Sequence, residues 1–297
     1  MTLRVGPLLL LITLGCHSFA LAELPNLRSV GSDLTVPALS AGPPAAGKRV
    51  KQTNPGQQGA ELFHVLYLPT DWQPPTARSD KYPLIVEYPG NGGYQNALGD
   101  VCTGKVEDCK LGYGLSGGTG FIWVCLPFVD AREQQHALNW WGDADATAAY
   151  CVQAVRRVCD EYGGDPSAVV LTGFSRGAIA CNYIGLRNDQ IAKLWCAMLP
   201  HSHYDGVRKW PYADSDAVSA AARLRRLGSR RQFISHETSV EATRGFLQQH
   251  APSDNFTFLA LPYPNHSDEW VLKDIPERAK VREWLTRVIE SSRQNQP

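Results

Sequence analysis

A serine set between glycines, Gly173-Phe-Ser175-Arg-Gly177, is the sharpest chemical feature of this 297-residue sequence. The apolar, strand-like run 168–173 precedes it and a helix-compatible stretch follows, so the chain turns abruptly from strand to helix at the serine. Such a bend crowds the backbone on both flanks, where side chains would clash. It holds the Ser175 hydroxyl exposed at the carboxyl edge of a sheet, as a nucleophile requires. A hydroxyl needs a base, and of the seven histidines beyond residue 22 His266 is the best placed. It lies in Pro264-Asn-His-Ser-Asp-Glu-Trp270, past the final strand and before the last helix. The competing reading is a solvent-facing loop histidine.

The base must be oriented by a carboxylate that fixes its tautomer. Glu237, directly after the strand 231–235, gives the order Ser, acid, His. Asp205, in His201-Ser-His-Tyr-Asp205 after the preceding strand, competes with it; Glu237 is preferred and the assignment stays open. Charge developing on an attacked carbonyl oxygen needs donors. Pro89-Gly-Asn-Gly-Gly93 follows strand 83–88 and offers Asn91, with the backbone amide of Arg176 as the second donor, although Pro-Gly-Asn-Gly is also a common turn sequence. Trp140, Trp141, His201 and His203 are expected to line the cleft; the plainer reading of the tryptophans is packing at a helix start.

Other motifs are set aside. Gly112-Tyr-Gly114-Leu-Ser-Gly117 matches the dinucleotide-binding fingerprint, but that motif works only between a strand and a helix. Here a loop precedes it and the strand 121–126 follows, so no cofactor is expected. The segment 95–120 reads as a long surface loop carrying a Cys102–Cys109 disulfide, the best pair for an oxidising compartment. Cys151 and Cys159 lie about 12 Å apart on one helix, too far to bridge. His201, His203 and Asp205 alternate without further ligands, and no C-x-x-C or H-E-x-x-H spacing occurs, so no metal is expected.

The elements that must position these groups are short apolar runs near 61–68, 83–88, 121–126, 168–173, 194–199, 231–235 and 256–261, alternating with helical stretches. The clearest helix runs from about Asp143 to Tyr162, with Ala148, Val152, Val155, Cys159 and Tyr162 on one face. Others fall near 177–187, 215–227, 240–250 and 276–291. This alternation predicts an α/β fold, a mostly parallel central sheet covered by helices on both faces.

Residues 1–22 read as a secretory signal peptide cleaved after Ala22: Arg4, then VGPLLLLITLG, then Ala20-Leu-Ala22. Leu14-Gly-Cys16 is the weaker alternative, a lipoprotein anchor at Cys16. The apolar run is shorter than the ~20 residues of a membrane span, so stable membrane insertion is not expected and the chain should be secreted or periplasmic. Residues 23–58, rich in Pro, Gly, Ser and Ala, read as a loosely ordered leader, and 59–297 as one domain. The 29 basic and 29 acidic side chains cancel, without the basic footprint of a nucleic-acid binder. The sequence is silent on protein partners.

In that order and each after a strand, Pro89–Gly93, Gly173–Gly177, Glu237 and His266 resemble the α/β-hydrolase fold over roughly residues 60–291. Asn139-Trp-Trp-Gly-Asp143 through Asp165-Pro-Ser and the serine turn is similar to secreted esterases of the polyhydroxybutyrate-depolymerase and feruloyl-esterase type. The resemblance implies hydrolysis of a carboxylic ester through an acyl-enzyme on Ser175, with His266 as general base then acid and Glu237 as orienting acid. Pro89 departs from the histidine often found before the oxyanion glycine. Some carbohydrate esterases acting on uronic esters carry Ser-Arg at this turn, where the guanidinium assists charge stabilisation; a structural ion pair for Arg176 is the alternative. A serine peptidase, or a non-catalytic binding protein on the same fold, are the other readings.

Overall fold

The computed structural model describes residues 24–57, 61–251 and 254–294. The expected signal peptide and Cys16 lie outside the described residues. Eight strands form the main sheet: β1 (Arg49–Gln52), β2 (His64–Tyr67), β3 (Tyr82–Tyr88), β4 (Ile122–Cys125), β5 (Gly164–Phe174), β6 (Ala197–His201), β7 (Arg231–Glu237) and β8 (Phe256–Leu261), in the order β1-β2-β4-β3-β5-β6-β7-β8. β1 and β2 are antiparallel, as are β2 and β4; from β4 to β8 every pairing is parallel. The mostly parallel sheet expected from the sequence is the observed one.

The helices are α1 (Leu111–Ser116), α2 (Ala144–Tyr162), α3 (Arg176–Tyr183), α4 (Asp189–Ala192), α5 (Ala217–Leu224), α6 (Glu241–His250) and α7 (Pro276–Gln294). Strand side chains alternate between faces. Leu84 and Val86 of β3 and Val169 and Leu171 of β5 join a core with α2, α3, α5 and α6. Ile85, Ala168 and Val170 point the other way, into a second core with α1 and α7. The Asp143 side chain caps α2 by accepting from Asp145 N and Ala146 N, and Gly163 ends the helix in the left-handed conformation.

Three expectations change. Within the expected leader 23–58, Arg49–Gln52 form β1 and other described residues pack on the domain: Leu27 is buried and its amide donates to Asn265 Oδ1 at 2.7 Å, while Asp33 pairs with Arg278. Its one-sided apolar content, Val50 in Arg-Val-Lys-Gln, hides an edge strand. Within 95–120, Leu111–Ser116 is a helix whose glycines permit close packing; a Cβ at Gly112 would collide with Trp123 and one at Gly114 with Val271. Cys102 and Cys109 are free thiols. Cys102 packs on Gly90, whereas Cys109 turns inward beside Cys125. Among the described residues no helix is long and apolar enough to cross a membrane.

Candidate active site

The carboxyl edge of the parallel strands collects the polar groups. β5 ends at Phe174, and Ser175 follows with φ 54° and ψ −113°, outside the comfortable region for a side-chain-bearing residue, before α3 begins. The flanking glycines explain how the bend fits: a Cβ on Gly173 would strike the Gly177 backbone, and one on Gly177 the Tyr88 carbonyl of β3. The hydroxyl therefore stands at the turn's apex, and Ser175 N is held by His201 O at 2.9 Å.

His266 Nε2 lies 3.0 Å from Ser175 Oγ, and His266 Nδ1 lies 2.7 Å from Glu237 Oε1. These three side chains come from residues far apart in the chain and meet at one mouth. Burial pushes the Glu237 carboxyl up, but the hydrogen bond from His266 and the neighbouring His236 and His201 outweigh it and bring it down to about 2. Asp205 is elsewhere: buried, it accepts from Arg223 Nε at 2.9 Å and Nη2 at 3.1 Å. Its carboxylate thus braces α5 rather than the imidazole.

Two residues that sequence reasoning passed over complete the network. Ser202, with φ 85°, donates from Oγ to Glu237 Oε2 at 2.6 Å and lies 2.7 Å from His266 Nδ1. Asp100 is buried, and its Oδ2 accepts from His266 N at 2.9 Å while Oδ1 accepts from Asn265 Nδ2 at 2.8 Å. It fixes the loop that carries the imidazole. The positive φ of Ser202 leaves no trace in the sequence, and the Asp100 contact spans 166 positions.

Ser175, His266 and Glu237 line a cavity of about 610 Å³ with Asn91, Tyr94, Trp140, His203 and Trp210. Asn91 Oδ1 accepts from Trp140 N at 2.8 Å, which holds its loop beside the serine turn. Gly92 N is engaged by Leu138 O, whereas the amides of Asn91 and Arg176 make no backbone hydrogen bond among the described residues. These two amides are available to an oxyanion. The Arg176 guanidinium is not: it is buried against Phe128 and donates to Ala137 O at 3.1 Å and Trp140 O at 2.6 Å. Neither charge stabilisation in the cleft nor an ion pair describes it.

The four expected cleft residues divide. Trp140 and His203 line the cavity. Trp141 is buried and stacks on Tyr183 at 4.6 Å, and His201 is buried between Ser235 Oγ at 2.9 Å and Ser267 O at 3.1 Å. Both pack in the core and neither lines the cavity, although the Trp140 and Trp141 rings, 6.1 Å apart, share a contact with Tyr212. His201 and Asp205 are thus committed to separate partners. Among the described residues Glu87, Cys109 and Cys125 come close enough to share a metal ion. The Glu87 carboxylate, however, already accepts from Lys110 N, Leu111 N, Gly112 N and Trp123 Nε1, which occupies its lone pairs.

No protein-family model matches the sequence, and no curated protein matches it. Solved structures do. The feruloyl esterase module from Clostridium thermocellum is 17% identical, with a TM-score of 0.51 over 86% of this chain and 94% of that one. An esterase from Rhizomucor miehei is 10% identical, with a TM-score of 0.53 over 84% of each chain. Porphyromonas gingivalis dipeptidyl peptidase 4 is 16% identical, with a TM-score of 0.53 over 85% of this chain and 36% of that one. The chain also spans 62% of the length of a thermostable esterase.

Proposed function

This chain has the α/β-hydrolase fold, and from that premise we propose that it is a serine hydrolase cleaving a carboxylic ester through an acyl-enzyme on Ser175. One observation carries the reading: the continuous path from Ser175 Oγ through the His266 ring to Glu237, with links of 3.0 and 2.7 Å, opening on a cavity.

In the acylation step His266 Nε2 takes the proton of Ser175 Oγ as the oxygen attacks the ester carbonyl. The imidazolium that forms is stabilised by Glu237, and the negative oxygen by the amides of Asn91 and Arg176. His266 then passes the proton to the leaving alcohol. Water enters, gives its proton to the same nitrogen and attacks the acyl group; the acid departs and Ser175 Oγ recovers its proton. No cofactor or metal is called on. Residues 1–22 would deliver the enzyme outside the cytoplasm.

The test is a fluorophosphonate probe together with turnover of para-nitrophenyl acetate. Labelling that disappears in Ser175→Ala, with turnover falling at least about 10³-fold, is the expected result. Folded wild-type protein that neither labels nor turns over the ester defeats the proposal. Cleavage of peptides in preference to esters would move the activity to the peptidase reading.

A further inference from the structure

The charges around the cavity are unequal in what they leave available. Three charged side chains belong to its lining: Arg176, Glu237 and Arg208. The Arg176 guanidinium is turned into the protein on two carbonyls, and Glu237 is engaged by His266 and Ser202. Arg208 differs from both. It is exposed on the loop between β6 and α5, and no carboxylate pairs with it among the described residues.

Nor does its guanidinium hang loose. It lies 4.5 Å from the centre of the Trp210 ring, a stacking that leaves the N–H edges of an arginine free to donate. The indole beneath is itself fixed: Trp210 N donates to Ser215 Oγ at 3.2 Å, Ser215 Oγ donates back to Trp210 O at 2.7 Å, and the ring packs 5.5 Å from Trp140 and 5.3 Å from His203. A planar, always-charged fork is thus mounted on an aromatic wall of the cavity that holds Ser175.

We infer that Arg208 is a specificity-determining residue and that the substrate is an ester carrying a free carboxylate on a flat ring or sugar. The carboxylate is received by the Arg208 fork, and the ring lies against Trp140 and Trp210. This rests on the ester-hydrolase reading of the same site and adds the substrate class to it. A neutral ester would leave the cation facing the cleft without a partner and would gain only the apolar contact.

The experiment compares matched esters on the full chain. On the acyl side the pair is methyl phenylacetate and the monomethyl ester of para-phenylenediacetic acid; on the alcohol side it is benzyl acetate and para-(acetoxymethyl)benzoate. In at least one pair the charged ester should show kcat/KM about tenfold above its neutral partner, gained in KM and reduced by added salt. Arg208→Gln should collapse that ratio to about one, and Arg208→Lys should keep part of it, because the charge survives without the fork. Charged esters no better than neutral ones in both pairs, or a ratio unaltered in Arg208→Gln, overturn the inference. Should Ser175 label with fluorophosphonate while none of the four esters is cleaved, the inference falls and the serine-hydrolase reading stands. Absence of labelling brings down the reading beneath it.

Discussion

Two carboxylates of one sheet, one buried in β3 and one half-buried at the end of β7, are treated in opposite ways. Glu87, inside β3, is closed off from water and surrounded by four N–H groups from the start of α1 and from Trp123. Burial drives its carboxyl up to about 7 against the pull of those donors. Glu237, at the end of β7, faces an imidazole, a hydroxyl and the cavity, and its carboxyl is brought down to about 2. The donors around Glu87 are fixed dipoles that cannot change charge, so the group anchors a helix. In the proposed mechanism the partner of Glu237 takes a proton from Ser175, so that carboxylate would answer to the reaction. What separates an anchor from an orienting acid is whether the partner titrates.

The widest gap should open in turnover. Glu237→Gln keeps the shape but loses the charge that stabilises the imidazolium, and kcat should fall by about 10³–10⁴-fold, with a smaller loss of melting temperature than the change that follows. The matching change in the other region, Glu87→Ala, leaves four N–H groups without an acceptor. It should cost about 3–5 kcal/mol of stability, while turnover per folded molecule persists. Denaturant melts and active-site titration of both variants check the pair; a catalytic loss in Glu87→Ala as deep as that in Glu237→Gln would erase the distinction.

Acid sharpens the contrast in a different way. A carboxyl held down to about 2 keeps its stabilising contribution above the ordinary carboxylate range and loses it only as pH falls toward that value. Glu237 therefore survives mild acid. The vulnerable groups are imidazoles: burial, then the Arg157 charge, holds His64 down to about 3, and burial holds His201 down to about 4. Both fold neutral, whereas the unfolded chain binds protons near the ordinary histidine value, so stability is full above about pH 6.5 and declines below it. Between pH 6.5 and 5.5 the two together should remove about 2 kcal/mol, read from denaturation midpoints at the two pH values. An unchanged midpoint would contradict their burial as neutral rings.

The same division explains how much could be read before the fold was known. The serine turn was legible because its demand for Gly173 and Gly177 is local, and α2 because its apolar period, its Asp143 cap and its Gly163 stop lie within one short stretch. β1 was hidden because its strand character comes from pairing with β2, not from Arg-Val-Lys-Gln itself. α1 was hidden because the glycines that weaken a helix in isolation are the ones that let it approach Trp123 and Val271. Trp141 and His201 are harder to place because residues close in sequence differ in exposure: Trp140 and His203 line the cavity while Trp141 and His201 are buried behind it. Composition cannot reveal on which side of a turn a side chain emerges.

Ser202 offers the finest test of the contrast, because its hydroxyl and its backbone pull in different directions. The positive φ costs the fold something, since a side chain there crowds its own backbone, yet that conformation sets Oγ between Glu237 and His266. Ser202→Ala removes the hydroxyl and keeps the strain; kcat should drop about tenfold, the effect of a lost charge-assisted hydrogen bond, with KM nearly constant. Ser202→Gly removes the same hydroxyl but suits the left-handed backbone, so it should match the alanine variant in kcat and exceed it in stability by about 1 kcal/mol. Equal kcat losses with unequal melting temperatures would assign the hydroxyl to positioning the imidazole and the strain to the fold. If both variants retain wild-type kcat, Ser202 belongs with Glu87 among the groups that only hold the structure together.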